Sequence, residues 1–391
     1  MSAQQLRAQS AQTAHEPPTP GASLAALPYV RQIAAYAPGK PIEELAREFG
    51  LDAHDIVKLA SNENPLGAPP SAQRAMQAAL ADVGRYPDGN AFALRSALAQ
   101  RLDVPLEWVT VGSGSNDILE MAAAAMLAPG RSCIFSQYSF AVYALATQAR
   151  GARAVVVPAQ RYGHDLDRMR QAVSDDTRLI YVANPNNPTG TFVEGPKLES
   201  FLESVSPHIV VVIDEAYNEY LAPHCRYDAV AWVRRFPNLL VSRTFSKAYG
   251  LAGLRVGYGI AQDELSGLLN RVRMPFNVST PAQAAACAAL SDEAFVQRSY
   301  ELNRRGLREL QVALRALGLE TVPSFANFLL MRIGPAAQVY HELLRRGVIV
   351  RPVSNYDLPE WLRVTVGLPQ ENERFLQALP LALQAARASI P

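Results

Sequence analysis

One lysine set between hydroxyl residues, Thr244-Phe245-Ser246-Lys247, with an arginine eight positions on at Arg255, is the stretch of this chain best equipped for chemistry. Two further polar constellations precede it, Asn184-Pro185-Asn186-Asn187-Pro188-Thr189-Gly190 and Asp214-Glu215-Ala216-Tyr217, each just after an apolar run. Lysines are mostly solvated surface groups, so a lone Ser-Lys pair carries little. Three such constellations in order supply more: an amine that condenses with an aldehyde, a carboxylate for a protonated ring nitrogen, donors to a phenolic oxygen and an anion cradle. Those are the requirements of pyridoxal phosphate.

Each residue has a rival reading. Lys247 as the covalent anchor and proton carrier suits an amine whose pKa moves readily when desolvated or near cations. Ser-Lys is also the nucleophile and base of some hydrolases, but neither an oxyanion motif nor a second serine accompanies it. Asp214 ends the very apolar run Ile209–Ile213, where a carboxylate needs a positive partner, and a pyridinium provides one. A Walker-B-like Asp-Glu holding Mg²⁺ would require a Gly-x-x-x-x-Gly-Lys-Ser/Thr loop, which the sequence lacks. An aspartate capping the next helix remains compatible with the first reading. Tyr217 and Asn187 are candidates to bind the phenolic oxygen, the latter aimed by a Pro-Thr-Gly turn. Gly112-Ser113-Gly114-Ser115-Asn116 precedes a helical run, where free amides and close backbone approach attract phosphate. Thr244, Ser246 and Arg255 complete that cradle, and Tyr138 is the candidate ring to stack on the pyridine.

These residues need elements to hold them. From about 71 to 290, the strand candidates Val109–Val111, Cys133–Phe135, Ala154–Val157, Leu179–Val182, Ile209–Ile213, Leu239–Ser242 and Val256–Ile260 alternate with helical segments such as Asp117–Leu127, Phe140–Gln148 and Leu166–Val173. Continuous apolar strands alternating with helices predict an α/β fold with a mostly parallel seven-stranded sheet covered on both faces. Ligands gather at the carboxyl ends of such strands, which is where every constellation falls. From 291 to 391 a long amphipathic helix leads into a smaller α+β unit: strands Phe328–Ile333, Val348–Val350 and Leu362–Val366, a helix at Ala337–Arg345 and a last one from Gln370. Residues 28–70 are expected to join this unit, with a short helix over Pro41–Gly50, and residues 1–27 to form a flexible tail.

A length of 391 residues favours two domains. With 37 basic against 36 acidic residues, there is no electrostatic case for nucleic acid or an anionic membrane. Three scattered cysteines and six scattered histidines give neither a disulfide framework nor a metal site. No apolar run approaches the roughly 20 residues that span a bilayer, and the start lacks the pattern of a signal peptide, so a cytoplasmic protein is expected.

From Tyr29 to the last helix the chain resembles the fold-type-I aminotransferases, and in detail the histidinol-phosphate aminotransferase family. The likeness is sharpest at Pro38-Gly39-Lys40-Pro41, Asn62-Glu63-Asn64-Pro65, Asn184–Gly190, Asp214–Tyr217 and Thr244–Arg255. Gly347–Pro352 and Leu362–Gly367 look like the family's substrate-binding strands. The resemblance implies that Lys247 carries pyridoxal 5′-phosphate, with Asp214 at its ring nitrogen and Tyr217 and Asn187 at its phenolic oxygen. By the same likeness Ser115, Asn116, Thr244, Ser246 and Arg255 hold its phosphate, and Tyr86 reaches the phosphate of a neighbouring subunit in a homodimer. Arg363 and Arg351 are the implied anion clamp, with Asn187 and Asn64 beside the substrate; a guanidinium fork suits phosphate and carboxylate alike. The implied reaction moves the amino group of histidinol phosphate to 2-oxoglutarate. Ser136–Tyr143 departs from the family's common wording, which leaves an aromatic amino acid as an alternative amine. A decarboxylase of phosphorylated amino acids and a non-catalytic regulator are the other readings; the latter lacks a basic DNA-binding module.

Overall fold

Aliphatic and β-branched runs build the central sheet of the computed structural model, which describes residues 24–36 and 38–388. The tail expected over 1–27 thus lies outside the described residues as far as 23. The seven strands are β1 (Val109–Gly112), β2 (Ser132–Ser136), β3 (Arg153–Val157), β4 (Thr177–Ala183), β5 (Val210–Asp214), β6 (Leu239–Thr244) and β7 (Gly257–Ile260). Their spatial order is β1-β7-β6-β5-β4-β2-β3, parallel except that β7 runs against both of its neighbours.

The apolar runs are continuous because both faces are covered. Ile134, Ile180, Val182, Val211, Ile213 and Val241 point to one helical layer, while Cys133, Phe135, Leu179, Tyr181, Val210, Val212 and Leu240 point to the other. Successive side chains alternate between faces, so the residues of the inner strands meet a hydrophobic layer on either side, while edge strand β3 stays largely exposed. Six parallel strand ends, Gly112, Ser136, Val157, Ala183, Asp214 and Thr244, therefore emerge on one rim. Reversed β7 brings its first residue there, with Gly257 in register with Gly112 on one side and Thr244 on the other.

The helix Thr280–Leu290 and its neighbour Pro70–Ala79 lie in this same domain. The first reads TPAQAAACAAL, almost uniformly small and apolar, so it shows no stripe by which periodicity would reveal it.

The 24-residue helix Glu293–Ala316 leaves this domain, its start capped by Asp292, whose carboxylate accepts from the Phe295 N–H at 3.1 Å. Beyond it, β8 (Thr321–Val322), β9 (Phe328–Arg332), β10 (Arg351–Pro352) and β11 (Trp361–Thr365) form an antiparallel sheet in the order β10-β11-β9-β8. Its core holds Leu310, Leu329, Met331, Leu343, Leu362, Val364 and Phe375. The strand expected at Val348–Val350 is shared between two partners. Val348–Ile349 pairs in parallel with Val57–Lys58 from the N-terminal segment, whereas Arg351–Pro352 pairs with β11. The short N-terminal helix spans Ile42–Phe49 and stops at Gly50, whose φ of 67° is left-handed and suits glycine. Leu45 packs from it against Leu344 and Ile349. Among the described residues no helix is long and apolar enough to cross a membrane.

Candidate active site

A cavity of about 190 Å³ opens at the strand rim, against residues of the N-terminal segment and the small sheet. Its walls bring together Ser115, Asn116, Asn187, Asp214, Tyr217, Thr244, Ser246, Lys247, Arg255, Arg351 and Arg363, eleven of the fourteen positions singled out in the sequence.

Lys247 follows β6 by three residues, and its Nζ donates to the Ser61 carbonyl at 3.0 Å. Burial pushes its pKa down to about 7, helped by the guanidiniums of Arg363 and Arg255 and opposed by Glu63 and Asp214. An amine in that range is largely able to act as a nucleophile near neutral pH.

Asp214 closes β5 and is 5% exposed. The Tyr143 hydroxyl donates to its Oδ2 at 2.8 Å, while its Oδ1, although buried, has no hydrogen-bond partner. Burial pushes this carboxyl up to about 6 against the lowering influence of Tyr143. An orphaned carboxylate oxygen in a cavity wall is the acceptor that a cationic N–H requires. The Tyr217 hydroxyl sits 2.8 Å from the Asn62 Nδ2 that donates to it, and burial pushes its pKa up to about 12, so it stays a neutral phenol.

The anion cradle combines a helix start with a charged fork. Helix Ser115–Met126 opens behind Gly114, whose φ is 80°. A Cβ on Gly114 would stand 2.4 Å from Arg255 Nη2, and one on Gly257 would stand 2.4 Å from the Ser115 amide nitrogen. Both glycines thus let backbone and guanidinium come together. Arg255 Nη1 donates to Ser246 Oγ at 3.1 Å, and the Ser246 N–H donates to Thr244 Oγ1 at 3.1 Å. Unpaired amides at a helix start together with a guanidinium suit phosphate.

On the far wall Arg363, central in β11 and 7% exposed, donates from Nη1 to Asn187 Oδ1 at 2.5 Å and from Nη2 to the Ala60 carbonyl at 2.7 Å. Its Nε is buried without a partner. Burial lowers its pKa, yet the nearby phenols of Tyr217 and Tyr356 favour the charged form. Arg351 lies in β10 with its guanidinium carbon 5.8 Å from the Tyr36 ring centre.

Three expected residues lie elsewhere. Asn64 is corrected: it turns inward, its Nδ2 donating to the Ala248 carbonyl at 2.9 Å and Ser299 Oγ at 2.8 Å, its Oδ1 accepting from the Leu66 N–H at 3.0 Å. With those bonds made inside the protein it stands outside the cavity lining, where its neighbour Asn62 is found instead. Tyr138 also lies off the cavity wall: it stacks on Tyr162 at 5.9 Å, while Phe140 from the same stretch joins Tyr36, Tyr217 and Tyr356 in the lining. After β2 the chain takes a turn through 137–139, so it is the residue just before helix Ala141–Ala149 that faces the rim. Tyr86 stands 82% exposed, stacked on Phe276 at 4.7 Å, and does not line the cavity of its own chain. Sequence reasoning assigned no role to Asn62, Phe140, Tyr143, Tyr36 or Tyr356. Asn62 belongs to the same polar loop as Asn64, and packing decides which of the two faces the cavity.

Comparisons with known proteins agree with this geometry. The family model for aminotransferase class I and II matches residues 54–379. Histidinol-phosphate aminotransferase 1 of Cupriavidus pinatubonensis is 63% identical over 360 residues, covering 91% of this chain and 96% of that protein. Histidinol-phosphate aminotransferase 2 of Ralstonia nicotianae is 62% identical over 365 residues, covering 92% and 98%. Among solved structures, the histidinol-phosphate aminotransferase of Sinorhizobium meliloti in complex with pyridoxal-5′-phosphate superposes with a TM-score of 0.85 at 26% identity, covering 93% of this chain and 99% of that one. A match over most of the length, with the lysine, carboxylate and arginines gathered in one cavity, settles the kinship: the chain belongs to the aminotransferase class I and II family.

Proposed function

We propose that the protein is a pyridoxal 5′-phosphate-dependent transaminase that converts L-histidinol phosphate and 2-oxoglutarate to imidazole acetol phosphate and glutamate, a step of histidine biosynthesis. The observation that carries this reading is one cavity lined by Lys247 Nζ, the unpartnered Asp214 Oδ1 and the buried Arg363 fork, in a chain whose relatives at 62–63% identity are histidinol-phosphate aminotransferases.

The residues present fit the cofactor. Asp214 Oδ1 offers a bare acceptor to a ring N–H, Lys247 an amine of lowered pKa to the aldehyde, and the glycine-lined start of Ser115–Met126 with Arg255 and Ser246 a cradle for phosphate. When bound, pyridoxal 5′-phosphate supplies an aldehyde that captures the amino group and a ring that draws electrons from the substrate's Cα. Lys247 Nζ, freed by the incoming amine, holds and returns the Cα proton; its pKa of about 7 suits both directions. Asp214, ionised at neutral pH, keeps the ring nitrogen protonated. The Tyr217 phenol and Asn187 amide bind the phenolic oxygen. Arg363, with Arg351 beside it, takes the anionic end of the substrate. A phosphate ester on the amine donor and a carboxylate on the acceptor present the same kind of oxygens to a guanidinium, so one site serves both halves of the cycle.

Within the same proposal the protein is a cytoplasmic homodimer, and Tyr86 reaches the partner's cradle. Supporting the dimer, Tyr86 and Phe276 form an exposed stack, with Val83, Phe92 and Met274 exposed in the same segments. Residues 71–290 form the cofactor domain, and 291–391 with 28–70 the substrate-closing unit.

The test is kcat/KM for histidinol phosphate against phenylalanine, tyrosine and aspartate, with 2-oxoglutarate as acceptor. A dominant value for histidinol phosphate upholds the proposal. A dominant aromatic value reassigns Arg363 to a carboxylate and the protein to aromatic amino-acid metabolism.

A further inference from the structure

Behind the cavity wall lies a buried phenol that the reaction as derived above does not use. Tyr143 sits in the first turn of helix Ala141–Ala149 and is 0% exposed. Its hydroxyl donates to Asp214 Oδ2 at 2.8 Å. Its ring lies flat on Tyr181, with centres 4.5 Å apart and planes 5° apart, and meets Phe140 edge-on at 6.0 Å. Tyr181 is itself anchored, its hydroxyl donating to the Leu119 carbonyl at 2.8 Å. Helix, strand β4 and ring stack thus hold one phenol oxygen in a fixed place.

We infer that Tyr143 is a positioning residue for Asp214, pinning one carboxylate oxygen so that the other is presented to the ring nitrogen of the cofactor. This rests on the pyridoxal phosphate reading above.

A carboxylate whose job is to hold the fold has both oxygens satisfied. Asp214 has Oδ2 bonded and Oδ1 bare at the cavity. Rotation of the carboxyl group about its bond to Cβ would turn either oxygen away from a ligand, and the Tyr143 bond, together with the Ala216 N–H that also donates to this carboxylate, opposes that rotation. The donor cannot reverse its role: burial and the neighbouring carboxylate hold the phenol well above its ordinary pKa, so it carries its proton throughout the working range. The same bond offsets part of the burial that raises the Asp214 pKa, keeping the carboxylate charged opposite a protonated ring.

The experiment removes only the hydroxyl. Apo-protein of wild type, Tyr143→Phe, Tyr181→Phe, Asp214→Asn and the double variant Tyr143→Phe/Asp214→Asn is titrated with pyridoxal 5′-phosphate, following absorbance as a function of pH. Loss of one hydrogen bond to a charged group predicts roughly 10- to 150-fold weaker cofactor binding for Tyr143→Phe. Its acid limb should move to higher pH, because Asp214 then holds its proton more tightly. Tyr181→Phe keeps the ring stack and should stay within about threefold of wild type. In the Asp214→Asn background, Tyr143→Phe should add little, since the oxygen it steers is gone. Unchanged affinity and acid limb in a folded Tyr143→Phe overturn the inference. So does an equal loss in both backgrounds, which would mark Tyr143 as packing alone. Failure of wild type itself to bind the cofactor overturns the functional proposal together with this one, and is thereby told apart.

Discussion

Replacing Arg363 by lysine tests whether one buried guanidinium serves both anionic partners of the reaction. The arginine uses Nη1 on Asn187 and Nη2 on the Ala60 carbonyl, with Nε still unpaired. A lysine keeps the charge but brings a single ammonium on a shorter reach, so it cannot hold both internal acceptors and present a flat fork to a ligand. Two charge-assisted hydrogen bonds to the substrate anion are lost or weakened, each ~1.5–3 kcal/mol, together about 3–6 kcal/mol. That corresponds to a fall of roughly 10²–10⁴-fold in kcat/KM. The assay follows the two half-reactions separately on enzyme saturated with cofactor, once with histidinol phosphate and once with 2-oxoglutarate. Both should fall by comparable factors, while cofactor affinity changes far less, because Arg255 and the Ser115 helix start are untouched. A loss confined to one half-reaction, or smaller than about tenfold in both, refutes the shared-anion argument. Arg351, turned toward Tyr36, would then become the discriminating group.

Other outcomes follow from the same geometry. Lys247→Ala should lose far more than the ~10²–10⁴-fold of a single acid–base group, because the covalent step goes as well; normal turnover without added amine would exclude Lys247 as the anchor. Gly257→Ala would push a methyl against the Ser115 nitrogen at 2.4 Å, Gly114 carbon at 2.6 Å and Arg243 carbonyl at 2.9 Å, all backbone, so it should cost about 1–3 kcal/mol or more. Thermal melts read that cost, and an unshifted Tm contradicts it. His164, 5% exposed and bonded through Nε2 to the Ala183 carbonyl at 2.7 Å, has its pKa pushed down by burial to about 4 from an ordinary 6.5. Between those values the unfolded chain binds a proton that the folded one refuses, so stability contributed above pH 6.5 is lost as pH falls toward 4, about 3 kcal/mol in full. Urea unfolding of wild type and His164→Gln across that range should show a shallower acid loss in the variant; parallel curves would remove His164 from the account.

Strand ends and their cargo were legible because local chemistry announces them. A carboxylate closing Ile209–Ile213 and a lysine shortly after Leu239–Ser242 contradict their apolar surroundings, and sheet topology turns that contradiction into an address. Asn62 against Asn64 was not legible: both sit in one polar loop, and only tertiary packing sends Asn64 to Ser299 while Asn62 meets Tyr217. Phe140 against Tyr138 failed for a similar reason, since a turn of irregular backbone has no period from which to count. Tyr143 was invisible as a partner of Asp214 because 71 residues and a whole strand separate them. The uniform alanine surface of Thr280–Leu290 hid that helix from any argument resting on alternation.

The backward run of β7 has a mechanical consequence. Thr244 leaves the sheet and Gly257 re-enters it side by side, in register, so the twelve residues between them form an excursion clamped at both feet. Ser246, Lys247 and Arg255 all ride on that one excursion. The distance from the reactive amine to the anion cradle is therefore internal to a single loop, and movement of the small sheet, which carries Arg351 and Arg363, leaves it unchanged. On the proposed function, gripping the substrate falls to the small sheet and holding the cofactor to this excursion, so substrate exchange would not loosen the group that does the chemistry.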